Sequence, residues 1–234
     1  MAAKSVYIPH PEPEDGRLQI VGNEHHHLSV ARAEEGETIE VFDGQGGVWT
    51  TEVVSAGRRE TVVRIVQSRR VEKSGPEILL GLSLIKPSAF ELALEKAVEV
   101  GVTRIIPFVA SRSNAPPVRK LDRWRRVVIE AAKQSKRYHL PVVDEPAKFA
   151  QVLDLKATTK IVFAERGGGR LESALAGSPA LCLVGPEGGW TDAELEAAQV
   201  KQFHPVTLGA AILRSETAAI VGAALVWYEL QRSL

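Results

Sequence analysis

The sequence predicts an α/β protein in which a small β-barrel or sandwich precedes a mainly parallel sheet covered by helices on both faces. Three observations lead there. Apolar and polar residues alternate through most of Val6 to Ser68, at the period of half-buried strands. A polar stretch with a Gly-Pro pair, "EKSGPE" at Glu72 to Glu77, then breaks the pattern and reads as a linker. Beyond it, short apolar runs take turns with helical segments, the rhythm of βαβ units. The division into domains falls between residues 1–72 and 73–234.

Each element has a local reason. "RLQIV", "TIEVFD", "VWTTEVV" and "TVVRIVQS" are strands by alternation, with one helical insertion near His25 to Arg32. "DGQGG", between two of them, supplies glycines able to take positive φ and signals a hairpin. In the second region "ILLGLSLI" is a strand, and Ser88 with Glu91 three positions later suggests a capping box for a helix that Gly101 ends. The strand "RIIPFV", a basic helix around Leu121 to Lys136, the strand "KIVFAE", a short helix from about Leu171 and the strand "ALCLVG" follow. Thr191 and Glu194 form another capping box, "PVTLG" is the last strand, and a final helix starts at Ser215. That helix, "SETAAIVGAALVWYEL", is apolar nearly all the way round, which requires burial on more than one side, in the core or against a second copy of the chain. Two-fold pairing is the commonest cover for such a surface, so a homodimer is expected.

With 29 basic and 29 acidic residues the chain is neutral overall, but the charges are unevenly placed. Residues 1–40 hold three Lys/Arg against eight Asp/Glu, whereas Arg119 to Arg137 carries eight basic residues against Asp122 and Glu130. A basic stripe on a neutral protein suggests a phosphate-rich partner; its other reading is a solvated helix face. No run approaches the roughly 18 apolar residues of a membrane span. "MAAKSVYIPH" lacks the apolar region of a signal peptide, so a cytoplasmic location is expected. The one cysteine, Cys182, lies in an apolar strand, which excludes disulfides and cysteine-rich zinc sites. His25, His26 and His27 are adjacent and cannot converge on one ion from helix or strand, so no metal site is expected. Walker-type phosphate loops, Gly-x-Gly-x-x-Gly fingerprints and nucleophilic triad motifs are missing, and "ERGGGRL" at Glu165 to Leu171 reads as a flexible turn.

What remains is "GPEGG" at Gly185 to Gly189. The capping box accounts for the helix after it, but not for three glycines and a proline in five residues, which bring exposed backbone amides together. The stretch is either a strand-to-helix turn or a loop that holds a ligand. A second glycine-bearing loop, "LGAAILRSE" at Leu208 to Glu216, also follows a strand, and ligands of parallel sheets sit beyond the carboxyl ends of strands. The two loops are placed to converge on one ligand.

"LVGPEGGWTDAE" followed by "LGAAILRSETAA" closely resembles the C-terminal motif pair of the ribosomal RNA small subunit methyltransferase E family, within the SPOUT superfamily. "HHLSVAR", "EKAVEVGVTRIIPFVASRS" and "EAAKQSKRYHLP" match in order, so the resemblance spans nearly the whole chain. It implies a PUA-like barrel in the first region, a SPOUT-type trefoil knot in the second, and a homodimer. It also implies an enzyme that uses S-adenosylmethionine to methylate N3 of uridine 1498 in the 16S ribosomal RNA of the small (30S) subunit. Connection rules alone give a plain, unknotted doubly wound sheet.

Carried over by residue, the resemblance implies cofactor contacts from Leu183, Gly185, Pro186, Glu187, Gly188 and Gly189 in the first loop, and from Leu208, Gly209, Ile212, Leu213, Arg214 and Ser215 in the second. It implies RNA contacts from His26, Arg32, Arg112, Lys133, Gln134 and Arg137, which favours an RNA-facing role for the basic stripe. Ala211 stands where many members carry an arginine. Uracil N3 is a poor nucleophile until its proton leaves, so Arg214 is expected to stabilise the resulting anion, with Glu187 or Glu216 as candidate bases. The competing reading is a non-catalytic RNA-binding or ribosome-assembly factor on the same fold, which would not need intact glycine loops.

Overall fold

The computed structural model describes residues 4–113 and 121–232. The chain groups into two compact units: residues up to Lys73 together with Ala132–Leu140, and the rest from Ser74 onward.

The first unit contains β1 (Lys4–Tyr7), β2 (Arg17–Val21), α1 (Gly22–Val30), β3 (Thr38–Phe42), β4 (Gly47–Ala56) and β5 (Glu60–Arg70). They form one five-stranded sheet in the order β1-β3-β4-β5-β2, antiparallel except for the β1–β3 pair. Alternation turns Leu18 and Ile20 of β2 and Ile39 and Val41 of β3 inward, where they pack with Val6, Leu28, Val53 and Val63. Register shifts between Thr50 and Thr51 and between Val53 and Ser55 interrupt the long β4–β5 ladder, the kind of irregularity that lets a sheet curl into the PUA-like form. Strand β1, at four residues, is too short to display a period in the sequence. The hairpin "DGQGG" is built as expected: Asp43 Oδ1 accepts from the N–H groups of Gln45 (2.7 Å) and Gly47 (2.9 Å). The segment Ala132–Leu140 runs beside this hairpin, with Gly46 N–H donating to the Tyr138 carbonyl and Leu140 N–H to that of Gly44, both at 3.0 Å.

The second unit holds β6 (Ile78–Ser83), α2 (Pro87–Val100), β7 (Arg104–Val109), most of α3 (Leu121–Ser135), β8 (Val142–Val143), β9 (Ala147–Lys148), α4 (Phe149–Leu153), β10 (Thr159–Phe163), α5 (Leu171–Ala174), β11 (Ala180–Val184), α6 (Asp192–Val200), β12 (His204–Val206) and α7 (Ser215–Arg232). Its sheet runs β12-β10-β11-β6-β7-β8, with β9 also on β7, and all of these pairings are parallel. The two faces separate by alternation. Leu79, Leu181 and Leu183 point to one side, with Val152 and Leu153 of α4 and Ala198 of α6. Helix α7 packs on β6 and β11 and lies beside α2, and Gly222 of α7 sits so close to the Phe163 ring that an added Cβ would clash with it. Cys182 is fully buried, and burial pushes its thiol up to about 12, so it acts as a small hydrophobe.

The capping box expected from Ser88 and Glu91 is not formed. The helix starts two residues earlier, with Pro87 in its first turn, Lys86 as N-cap and no side-chain cap. Glu91 is drawn instead to Arg123 on α3, whose Nη2 donates to it at 2.7 Å. The cap of α6 is present, with Thr191 and Glu194 each satisfying the other's backbone N–H. Strands β8 and β9 and helix α4, two to five residues long, are likewise too short to leave a periodic signal in the sequence.

Candidate functional site

Four loops leave the carboxyl ends of β6, β10, β11 and β12. They line one cavity of about 650 Å³: Lys86 and Ser88 after β6, Glu165 after β10, Pro186 and Glu187 after β11, and Ile212 to Glu216 after β12. The order of the strands explains the opening. From β6 the chain moves to β7 on one side, yet β10 and β11 lie on the other, and the crevice falls where that direction reverses. Residues of both glycine-bearing loops therefore line one cavity.

The first glycine loop is held from several directions. Trp190 stacks on Phe108 (6.0 Å between centroids, 10° between planes) and packs against Phe149, and its Nε1–H donates to the Phe163 carbonyl at 2.8 Å. Gly185 lies under the Trp190 ring, where an added Cβ would be 2.8 Å away, so this position requires glycine by close approach. Arg112 donates to the carbonyls of Gly188 (2.9 Å) and Trp190 (3.4 Å). Lys86 N–H donates to Glu187 Oε1 at 3.2 Å. Burial alone would raise the Glu194 carboxyl, but N–H groups of Ser111 and Thr191 and the Thr191 hydroxyl hold it below the usual carboxylate range.

The second loop borders a smaller cavity of about 50 Å³, lined by Thr207, Leu208, Gly209, Ala211 and Leu213 with Phe163, Ala164 and Glu165. Gly209 has φ +118 with open space where a Cβ would stand, so backbone there is presented to whatever enters. The expected cofactor residues thus divide. Pro186, Glu187, Ile212, Leu213, Arg214 and Ser215 line the larger cavity, and Leu208 and Gly209 the smaller one. Leu183 is different: its side chain is 0% exposed and packs in the core, leaving only its backbone near the loop. Lys86 and Glu165 were not singled out from sequence. Both are strand-end residues, and the glycine run after Glu165 was the available signal.

The residues expected at RNA are spread. His26 and Arg32 are exposed on and just after α1, and Gln134 is exposed near the end of α3. Arg112 belongs to the second unit and the other five to the first. Lys133 is only 6% exposed and pairs with Glu24 at 3.1 Å, so its charge is spent inside the first unit. Burial pulls Arg137 down to about 10. Much of the basic stripe is engaged likewise: Arg123 with Glu91, Lys136 with Glu40 at 2.9 Å, and Arg125 loosely with Asp122 at 3.9 Å. Arg119 and Lys120 lie outside the described residues. Of the three adjacent histidines, His25 is buried and hydrogen-bonded with Thr61 at 3.0 Å, while His26 and His27 face outward. Among the described residues no three His, Cys, Asp or Glu groups are arranged to hold a metal ion, and no helix is long and apolar enough to cross a membrane.

Residues 72–227 match the family model for an RNA methyltransferase domain, and residues 22–66 that for an RNA methyltransferase PUA domain. The chain is 35% identical to Ribosomal RNA small subunit methyltransferase E of Synechocystis sp., across 96% of this chain and 77% of the relative. It is 33% identical to the protein of that name from Mycobacterium tuberculosis, across 89% and 86%. Among solved structures, Ribosomal RNA small subunit methyltransferase E of Neisseria gonorrhoeae bound to S-adenosyl methionine superposes with a TM-score of 0.91 at 29% identity, covering 97% of this chain and 98% of that one. A methyltransferase from Legionella pneumophila in complex with the same cofactor gives 0.92 at 25% identity, covering 98% of each chain.

Proposed function

The chain belongs to the ribosomal RNA small subunit methyltransferase E family, and from that premise we propose that it methylates N3 of uridine 1498 in 16S ribosomal RNA, with S-adenosylmethionine as donor. One observation carries the reading: four strand-end loops converge on a cavity that combines closely approachable backbone with the exposed guanidinium of Arg214. The residues fit the cofactor. The cavity of about 650 Å³ lies in the ordinary size range of small-molecule sites, and Gly209 presents backbone to open space.

When bound, the cofactor supplies a methyl group on a positively charged sulfur. The protein's work is then to align N3 with that methyl group, exclude water and manage one proton. Arg214 lines the cavity and supplies positive charge for the anion that spreads over O2 and O4 once N3 is deprotonated. Glu187, oriented by the Lys86 N–H, and Glu216, in the first turn of α7, are the carboxylates offered to the proton. Leu183, Gly185, Gly188 and Gly189 contribute through backbone and loop shape.

Residues 1–72 form the RNA-holding domain in this reading and 73–234 the catalytic one. Exposed His26, Arg32, Arg125, Arg126 and Gln134 support contacts with nucleic acid. Leu225 and Tyr228, 41% and 56% exposed on α7, support a homodimer. A ribosomal RNA substrate supports a cytoplasmic location. A non-catalytic RNA binder on the same fold would leave the cavity without use.

The test is methyl transfer from labelled S-adenosylmethionine to 30S subunits from cells lacking this enzyme, with the product nucleoside identified by mass spectrometry. N3-methyluridine at the stated position is expected. Cofactor binding without transfer would overturn the RNA target, and absence of cofactor binding would overturn the enzyme reading altogether.

A further inference from the structure

Glu165 stands two residues beyond the end of β10 and lines both cavities, the charged one that contains Arg214 and the smaller one under the second glycine loop. Its Oε1 lies 3.4 Å from the position a Cβ would take on Gly189, so the carboxylate also touches the rim of the first glycine loop. Among the described residues no hydrogen bond or ion pair engages it, although Glu187 in the same cavity accepts from Lys86 N–H and Glu172, just beyond the same loop, pairs with Arg170. An acceptor-only group with two oxygens, held at a strand end between two glycine loops and left without a donor, calls for a ligand that brings donors. Vicinal hydroxyls suit it, and an acidic side chain at a strand end is how doubly wound sheets commonly hold a ribose.

We propose that Glu165 binds the cofactor by accepting hydrogen bonds from its ribose hydroxyls. The proposal rests on the S-adenosylmethionine reading above. It places the ribose at Glu165, where the two cavities meet, and leaves the space beside Arg214 for the RNA base. Glu165 is thereby a specificity-determining residue for a nucleoside, with no part in the proton transfer.

The experiment is calorimetric titration of the whole protein with S-adenosylmethionine, S-adenosylhomocysteine and 5′-methylthioadenosine, for wild type, Glu165→Gln and Glu165→Ala. All three ligands share the ribose; only the first carries the sulfonium charge. Affinity for all three should fall together, by about tenfold or more in Glu165→Ala, the effect of removing hydrogen bonds to a charged acceptor. The fall should be smaller in Glu165→Gln, which keeps one acceptor oxygen. Because the side chain is exposed, the melting temperature should stay at the wild-type value and separate lost contact from lost fold. A loss confined to S-adenosylmethionine would overturn the proposal by placing the carboxylate at the sulfonium. Unchanged affinities with slowed methyl transfer would overturn it in favour of a base. Wild-type protein that binds none of the three would sink the cofactor reading itself, and the proposal with it.

Discussion

The two glycine loops lie at the same end of the sheet, but they are fixed in different ways. Gly185 to Thr191 is clamped by the stacked Trp190, by Arg112 on two carbonyls, by the internal bond from Gly189 N–H to the Pro186 carbonyl, and by the cap of α6. In the second loop, Thr207 is tied to Gly168 and Gly169, and Arg214 accepts from Ala218 N–H. Among the described residues, Leu208 to Leu213 make no hydrogen bond to the rest of the chain between these anchors. One wall of the cavity is preorganised by contacts within the chain, and the other, in the proposed reading, would gain its partners from the cofactor. Stability and affinity should therefore come apart when the two loops are altered separately.

The strongest way to break the contrast is Trp190→Ala. It removes the ring that covers Gly185 and stacks on Phe108, and should cost about 3 kcal/mol of stability along with cofactor affinity. Thermal unfolding and calorimetry read both losses, and an unshifted melting temperature would show that the first wall is not held this way. Arg112→Ala should follow with about 1 to 2 kcal/mol, since it frees two carbonyls of the same loop. Gly209→Ala meets no neighbouring atom but sets a side chain on backbone at φ +118, so it should cost about 1 kcal/mol of stability, less than Trp190→Ala, while weakening cofactor binding about tenfold. A large stability loss at that position would erase the distinction between the walls.

The smallest expected effect depends on pH. The Glu194 carboxyl is held below its ordinary value of 4.5, so its contribution is present above that pH and fades as the solution is acidified through the lowered value. Glu194→Gln should therefore be less stable than wild type at neutral pH, with the gap closing in acid. A gap independent of pH would assign the effect to packing and not to charge.

Sequence alone revealed what is locally encoded. The Thr191 cap could be read because both partners lie within four residues. The Ser88 cap failed because Glu91 answers to Arg123, 32 positions away. Lys133 looked like part of an RNA-facing stripe, but its partner Glu24 is 109 residues off and turns the charge inward. Glu165 escaped notice for a related reason: a single acidic residue after a strand acquires meaning only when other loops close around it. Strand-end loops could be placed from periodicity, whereas their convergence follows from strand order, which no local pattern records.

Strand β6 has every residue buried, and its partners arrive at very different times. The pairing with β7 joins Leu79 to Arg104, whereas the pairing with β11 joins Ile78 to Ala180, about a hundred residues later. At translation rates of 5–20 residues per second, one side of β6 waits roughly 5 to 20 seconds for its neighbour after emerging. During that interval "ILLGLS" presents an unpaired apolar ladder. A protein that methylates ribosomal RNA is thus most exposed to misassembly while its own chain is still leaving a ribosome.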